Sequence, residues 1–196
     1  MSKAGLYIHF PFCRRACFYC HFFKKKHSVE RADDYVDCLK REMRLRRDPG
    51  LVCNTVYFGG GSPSLMSARQ VSGLLGNAAK NFNLSSFAEI TLEANPEDLS
   101  LALLKGYRAA GVNRLSVGAQ SFQERDLRFL QRTHGAAQAL QAVVMARDAG
   151  IANVSIDLII GLPTQTAKSV GDNFKVVKTI VPSHVSLYIL ENVPHP

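Results

Sequence analysis

The stretch "LYIHFPFCRRACFYCHFF" (residues 6–23) sets a short apolar run, "LYIHF", directly ahead of three cysteines, Cys13, Cys17 and Cys20, crowded into eight residues. The run, closed by Pro11, reads as a β-strand. The cysteines then occupy the loop that leaves its C-terminal end. Three thiolates on one short loop can hold zinc or an iron-sulfur cluster. Zinc would need a fourth ligand from His21 or His9, giving a closed Cys3His site. An ordinary cubane cluster takes four cysteines, so three leave one iron without a protein ligand.

Composition narrows the surroundings of this loop. The 196 residues, 46% of them hydrophobic, can bury a full core as one domain. Five cysteines, two of them isolated at Cys38 and Cys53, do not form the even framework of a disulfide-stapled secreted protein. Cys38, on the apolar stripe of a helix, and Cys53, at the start of a strand, read as small core residues. The N-terminus is too short and too polar for a signal peptide, and no segment reaches membrane-spanning length, which places the thiols in a reducing cytoplasm. The net charge of +8 gathers in "RR" (14–15), "KKK" (24–26) and "RLRR" (44–47). Such runs suit an acidic partner, or serve as solvated faces. No aromatic residues interleave with "RLRR", which disfavours nucleic acid.

Outward along the chain, strand-like runs at 6–10, 54–58, 88–94, 113–118, 153–160 and 184–190 alternate with helix-like ones at 29–47, 67–80, 98–110, 136–149 and 166–180. Ala32, Tyr35, Val36, Leu39 and Met43 recur at helical spacing, as do Val71, Leu74, Leu75 and Ala78, and Leu140, Val143, Val144 and Ala146. Strands joined through helices need crossovers, which makes the sheet parallel and lays helices over its outer face. Polar or glycine-rich residues recur at the same end of successive strands: the cysteines, "GGGSP" (59–63), Glu93, Gln120 and Asp157. The mouth of a parallel barrel gathers residues in this way. A doubly wound sheet would concentrate them at a switch point, and the chain lacks the G-x-G-x-x-G turn. The expected fold is therefore α/β, a parallel barrel or partial barrel. Only "ENVPHP" (191–196) follows the sixth strand, so a further segment or another chain is expected to cover that edge.

The C-x3-C-x2-C spacing resembles the motif of radical S-adenosylmethionine (SAM) proteins. With "VYFGGGSPSL", "EITLEANPEDL", "GVNRLSVGAQSF", "LQRTH" and "SIDLIIGLPTQT", the chain is similar to the oxygen-independent coproporphyrinogen III oxidase family and its HemW-like heme chaperone branch, from Leu6 to about Leu190. The resemblance implies the six-stranded partial (β/α)6 barrel of a radical SAM core domain over residues 1–196, a cluster loop at 11–23 and the absence of the family's C-terminal domain. It implies a 4Fe-4S cluster on Cys13, Cys17 and Cys20, whose open iron is chelated by SAM and whose electron yields a 5'-deoxyadenosyl radical. By the same likeness Tyr7 lies near SAM and Tyr19 at its adenine, Gly60, Gly61 and Ser62 receive the methionine amino group, and Glu93, Gln120, Arg132 and Asp157 make polar contacts to SAM. Glycine lets backbone approach a ligand closely, and carboxylates inside apolar strands are costly to bury without a partner. Arg132, late in a helical stretch, also reads as a surface charge. His9 reads as a strand histidine held by a hydrogen bond, and His134 and His184 have no partner visible in sequence.

Two departures separate the branches. The decarboxylating oxidase carries a further cysteine two residues after the third ligand, and an N-terminal extension. This chain has Phe22 there and five residues before the first strand. Both favour the HemW-like branch, whose members bind heme and pass it to acceptor proteins. The implied partners are a heme or porphyrin, a reductant protein of flavodoxin or ferredoxin type, and a heme-acceptor protein. Two alternatives remain open at this point: the oxidase itself and a closed zinc module. His21 in place of an aspartate or asparagine, Ser62 in place of threonine and Ile160 in place of tyrosine depart from both branches.

Overall fold

Four of the helices begin where the sequence supplies a hydroxyl. Ser28, Ser67, Ser100 and Thr166 stand in extended backbone, and each accepts a hydrogen bond from the N–H three residues on. They open α1 (Val29–Leu45), α2 (Ala68–Asn81), α3 (Leu101–Ala110) and α6 (Ala167–Ile180). Between α3 and α6 lie the short α4 (Glu124–Phe129) and α5 (Ala136–Asp148). The structure, a computed structural model, describes residues 3–190.

The strands are β1 (Lys3–Phe10), β2 (Phe12–Cys13), β3 (Lys25–Lys26), β4 (Asp48–Gly60), β5 (Phe82–Ala94), β6 (Arg114–Gln120), β7 (Asn153–Ile160) and β8 (His184–Ile189). Six form one all-parallel sheet in the order β1-β4-β5-β6-β7-β8, while β2 and β3 pair within the loop after β1. Spatial order equals chain order. Right-handed crossovers then put the long crossover helices on the same face, and the sheet curls into a half-barrel. A doubly wound sheet would instead reverse direction at an internal strand.

Period-two alternation decides what each face carries. Ile8, Phe10, Val56, Phe58, Leu92, Leu115, Val117, Val154, Ile156 and Leu158 are buried in one core with Val36, Met43, Val71, Leu74, Leu104 and Val143 of the helices. Each such side chain contributes about 1.5–3 kcal/mol by leaving water. The residues between them, including Tyr7, Tyr57, Glu93, Ser116 and Asp157, turn to the concave side.

Several expectations need correcting. β4 and β5 each begin six residues before the expected start, because Asp48 pairs with Phe82 and Val52 with Asn83 across stretches whose proline, glycine and serines hide the strand signal. The short α4 offers too few turns for a periodic signal. α3 starts at Leu101, since Pro96–Asp98 form a 3-10 turn ahead of the Ser100 cap. Cys38 is exposed, not core. It lies two positions from Val36, on the opposite side of the helix, where Arg41 Nη2 donates to its Sγ at 2.9 Å. Val144 is likewise exposed, because α5 buries Ala139, Ala142, Val143 and Ala146. Cys53 is buried as expected. β8 is the last strand in the order, with Tyr188 and Ile189 exposed. The "ENVPHP" segment lies outside the described residues.

Candidate functional site

The loop after β1 is fixed by its own backbone and by long-range ties. Lys25 N–H donates to Pro11 O at 2.8 Å and His27 N–H to Cys13 O at 2.9 Å, closing the loop at its base. Within it a turn brings Cys20 N–H to Cys17 O at 3.3 Å, and Lys24 Nζ donates to Cys20 O. Arg14 Nε donates to the buried carboxylate of Asp98 at 2.7 Å, which also accepts from Ser64 Oγ at 2.9 Å. All three thiols are half-buried, and burial pushes the Cys13 thiol up.

The glycine loop after β4 lies directly on this loop. Gly61 N–H donates to Phe10 O and Ser62 N–H to Phe12 O, both at 2.8 Å. A side chain at Gly61 would meet Phe12 O at 2.7 Å. Gly60 has φ +117°, a conformation that favours glycine.

Glu93, near the end of β5, accepts from Tyr57 Oη at 2.9 Å and from Gly60 N–H at 3.2 Å. Asp157 on β7 accepts from Ser116 Oγ at 3.0 and 3.1 Å. Burial raises both carboxyls above their ordinary range. Gln120 ends β6 at φ +64°, a strained position for a non-glycine residue. A buried network holds the loops on either side of the mouth: Asp126 accepts from Ser121 Oγ at 2.8 Å and Thr164 Oγ1 at 2.7 Å, and Asn173 Oδ1 accepts from Phe122 N–H at 2.8 Å.

Arg132 is no surface charge. Its side chain is 7% exposed. Nη1 points at Cys17 Sγ at 3.7 Å, Nη2 donates to Asn95 Oδ1 at 2.6 Å and lies 3.4 Å from Glu97, and Nε–H is buried without an acceptor. Tyr19 lies within hydrogen-bond reach of Cys17 and Arg132, and burial raises its phenol. His134, whose partner was not visible in sequence, sits between Glu97 Oε2 (2.8 Å) and Ala119 O (3.1 Å). His184 contacts Ser155 Oγ at 3.0 Å. Burial acts to raise Glu97, but the His134 hydrogen bond and the Arg132 charge bring it down to about 2.

The cysteine and glycine loops, Glu93, Gln120, Arg132 and Asp157 line one cavity of about 470 Å³ at the C-terminal ends of the strands, a volume in the range of small-molecule and cofactor sites. His134, His184, Asp126 and Asn173 lie outside its lining. Every predicted site residue except Tyr7 lines it. Tyr7 stands beside it, 56% exposed and stacked on Tyr57 at 5.9 Å, with its hydroxyl 3.4 Å from His9 Nδ1. Sequence reading passed over Asn95, Glu97, Asp98 and Asp126, although "ANPED" directly follows Glu93 and so continues into the same mouth. Among the described residues no three His, Cys, Asp or Glu side chains converge on a single ion; a cubane asks its thiolates to reach different irons. Three thiols, a glycine cradle, an unsatisfied guanidinium N–H and the half-buried carboxyls of Glu93 and Asp157 on one cavity fit a cluster with a charged small cofactor at its side.

A family model described as the Radical SAM superfamily matches residues 7–177. The chain belongs to that superfamily. Membership implies a 4Fe-4S cluster and SAM, and Cys13, Cys17 and Cys20 are the thiols at hand to hold the cluster. Among radical SAM relatives, the chain is 38% identical over 190 residues to a mitochondrial "Radical S-adenosyl methionine domain-containing protein 1" of Danio rerio, covering 96% of this chain and 43% of that protein. It is 38% identical over 184 residues to the "Heme chaperone HemW" of Lactococcus lactis, covering 94% of this chain and 48% of that one. In fold it matches coproporphyrinogen III oxidase (HemN) from Escherichia coli, described as a radical SAM enzyme, with a TM-score of 0.88 and 33% identity over 97% of this chain and 44% of the other. The radical SAM chain thus spans less than half the length of each of these proteins. No helix among the described residues is long and apolar enough to cross a membrane.

Proposed function

We propose that this radical SAM protein is a HemW-like heme chaperone: it carries a cluster on Cys13, Cys17 and Cys20, binds SAM in the adjoining cavity, and binds heme for transfer to an acceptor protein in a reducing compartment such as the cytoplasm. The carrying observation is Phe22. It lines the cavity with its ring 71% exposed, at the position where the decarboxylating oxidase has a cysteine.

When bound, the cluster and SAM supply one-electron cleavage of a sulfonium; the rest is done by this chain's side chains. Glu93 and Asp157 hold carboxyls raised by burial, so a cationic or hydroxyl-bearing ligand that pairs with them relieves an existing cost. Gly60 and Gly61 leave room for such a ligand against bare backbone. Arg132 Nε–H offers a donor to an oxygen that enters the cavity.

Charge supports an acidic electron donor of flavodoxin or ferredoxin type. Residues 1–29 hold six of the 24 Lys and Arg and none of the 16 Asp and Glu. Arg15, Lys25 and Lys26 are exposed around the cluster loop beside Phe22 and Phe23, while the exposed Arg14 is already paired with Asp98. A face of one sign steers an oppositely charged partner toward it.

The test is an anaerobic assay with coproporphyrinogen III, SAM and reductant, read by mass, run beside a heme titration and transfer to an apo-acceptor. Heme binding and transfer without porphyrin turnover is the expected result. SAM-dependent protoporphyrinogen IX over multiple turnovers would move the chain to the oxidase branch.

A further inference from the structure

One carboxylate gathers three consecutive side chains. Glu97, in the 3-10 turn after β5, accepts from Thr133 Oγ1 at 2.8 Å, pairs with His134 Nδ1 at 2.8 Å and lies 3.4 Å from Arg132 Nη2. His134 is fully buried and pinned at its other nitrogen by Ala119 O, so this tie cannot swing. Asn95 Oδ1 takes Nη2 of the same arginine, which leaves Nη1 facing Cys17 Sγ. Arg132 lies 115 positions from Cys17 in sequence, so this contact depends on the anchoring of the segment 132–134.

We propose that Glu97 is a positioning residue: by clamping residues 132–134 it holds the Arg132 guanidinium on Cys17 and thereby raises the reduction potential of the cluster. The proposal rests on the assignment of the cluster to this loop. A hydrogen-bond donor and positive charge at a ligand sulfur favour the reduced, more negative cluster. The sign separates positioning from simple electrostatics. Removing a carboxylate near a cluster would by its charge alone raise the potential, whereas releasing the guanidinium lowers it.

The experiment is a potentiometric titration of the reconstituted cluster, followed by electron paramagnetic resonance, in wild type, Glu97→Ala, Arg132→Ala and the double variant, with iron and sulfide content measured in each. Expected are equal cluster contents, a lower potential in both single variants, and a double variant no lower than Arg132→Ala alone, because with no guanidinium left to position only the loss of the carboxylate charge remains, and that raises the potential. A raised potential in Glu97→Ala, additive shifts, or an unchanged potential in Arg132→Ala would overturn the proposal. Thr133→Val cuts one tie without changing charge and carries the same cycle should Glu97→Ala fail to load a cluster. A wild-type chain that holds no iron and sulfide at all sinks the cluster assignment first, and this proposal with it.

Discussion

Replacing Gly61 by alanine tests the contact between the glycine loop and the cysteine loop. The added carbon would lie 2.7 Å from Phe12 O, 2.8 Å from Pro11 C and 2.9 Å from Phe12 N, all main-chain atoms that no rotamer change can move. Relief requires the two loops to part, which strains the hydrogen bonds from Gly61 N–H to Phe10 O and from Ser62 N–H to Phe12 O. Overpacking costs about 1–3 kcal/mol, and each weakened hydrogen bond adds about 1 kcal/mol. The total of about 3–5 kcal/mol corresponds to a Tm lower by about 6–20 °C in a chain of this size. Gly76→Ala, in α2 with no atom within 4 Å of the new carbon, is the matched control and should stabilise by about 0.5–1 kcal/mol. Thermal unfolding of the three apo proteins decides the matter. A Gly61→Ala protein that melts within about 2 °C of wild type would refute the close approach of the loops.

Glu93→Ala, Gln120→Ala and Asp157→Ala should each weaken SAM binding by about tenfold to a hundredfold, the worth of one charged hydrogen bond, while iron and sulfide content stays constant; unchanged titrations in all three would remove them from the site. Because burial holds Glu93 and Asp157 above the usual carboxylate range, SAM affinity should begin to fall on acidification before ordinary carboxylates protonate. Stability follows Glu97, whose carboxyl is shifted the other way, downward. Its folded value of about 2 against the ordinary 4.5 gives stability that is present above 4.5 and lost as pH falls toward 2, at most about 3 kcal/mol by linkage. Urea unfolding across that window should show Glu97→Gln flatter than wild type, and equal slopes would contradict the assignment.

The strands and the site's elements were legible because a strand with one buried face must alternate, and because glycine, cysteine and carboxylate interruptions fell at matching strand ends. Gln120 and Asp157 could be placed at the mouth from this alone. Arg132 could not. What takes it out of solvent is Glu97, Asn95 and Cys17, and local periodicity carries no signal of partners so distant in the chain. The same holds for His134 between Glu97 and Ala119 O, and for Asp126 and Asn173, which bridge loops far apart in sequence. Cys38 failed for a nearer reason: the helical stripe was placed by its large residues, and a small cysteine two positions from Val36 was counted with them. The early starts of β4 and β5 were hidden because pairing with a neighbouring strand, which sequence does not display, outweighed the turn residues at 48–50.

The central claim is that the three thiols hold a cluster whose fourth iron is open to SAM. Anaerobic reconstitution with iron and sulfide, followed by electron paramagnetic resonance of the reduced protein before and after SAM, tests it most directly. The account predicts iron and sulfide in equal amounts and a signal that shifts when SAM is added. The cluster should be lost in Cys13→Ala, Cys17→Ala and Cys20→Ala but retained in Cys38→Ala and Cys53→Ala. One tightly held zinc without sulfide, bound by the three thiolates and an imidazole, would contradict it.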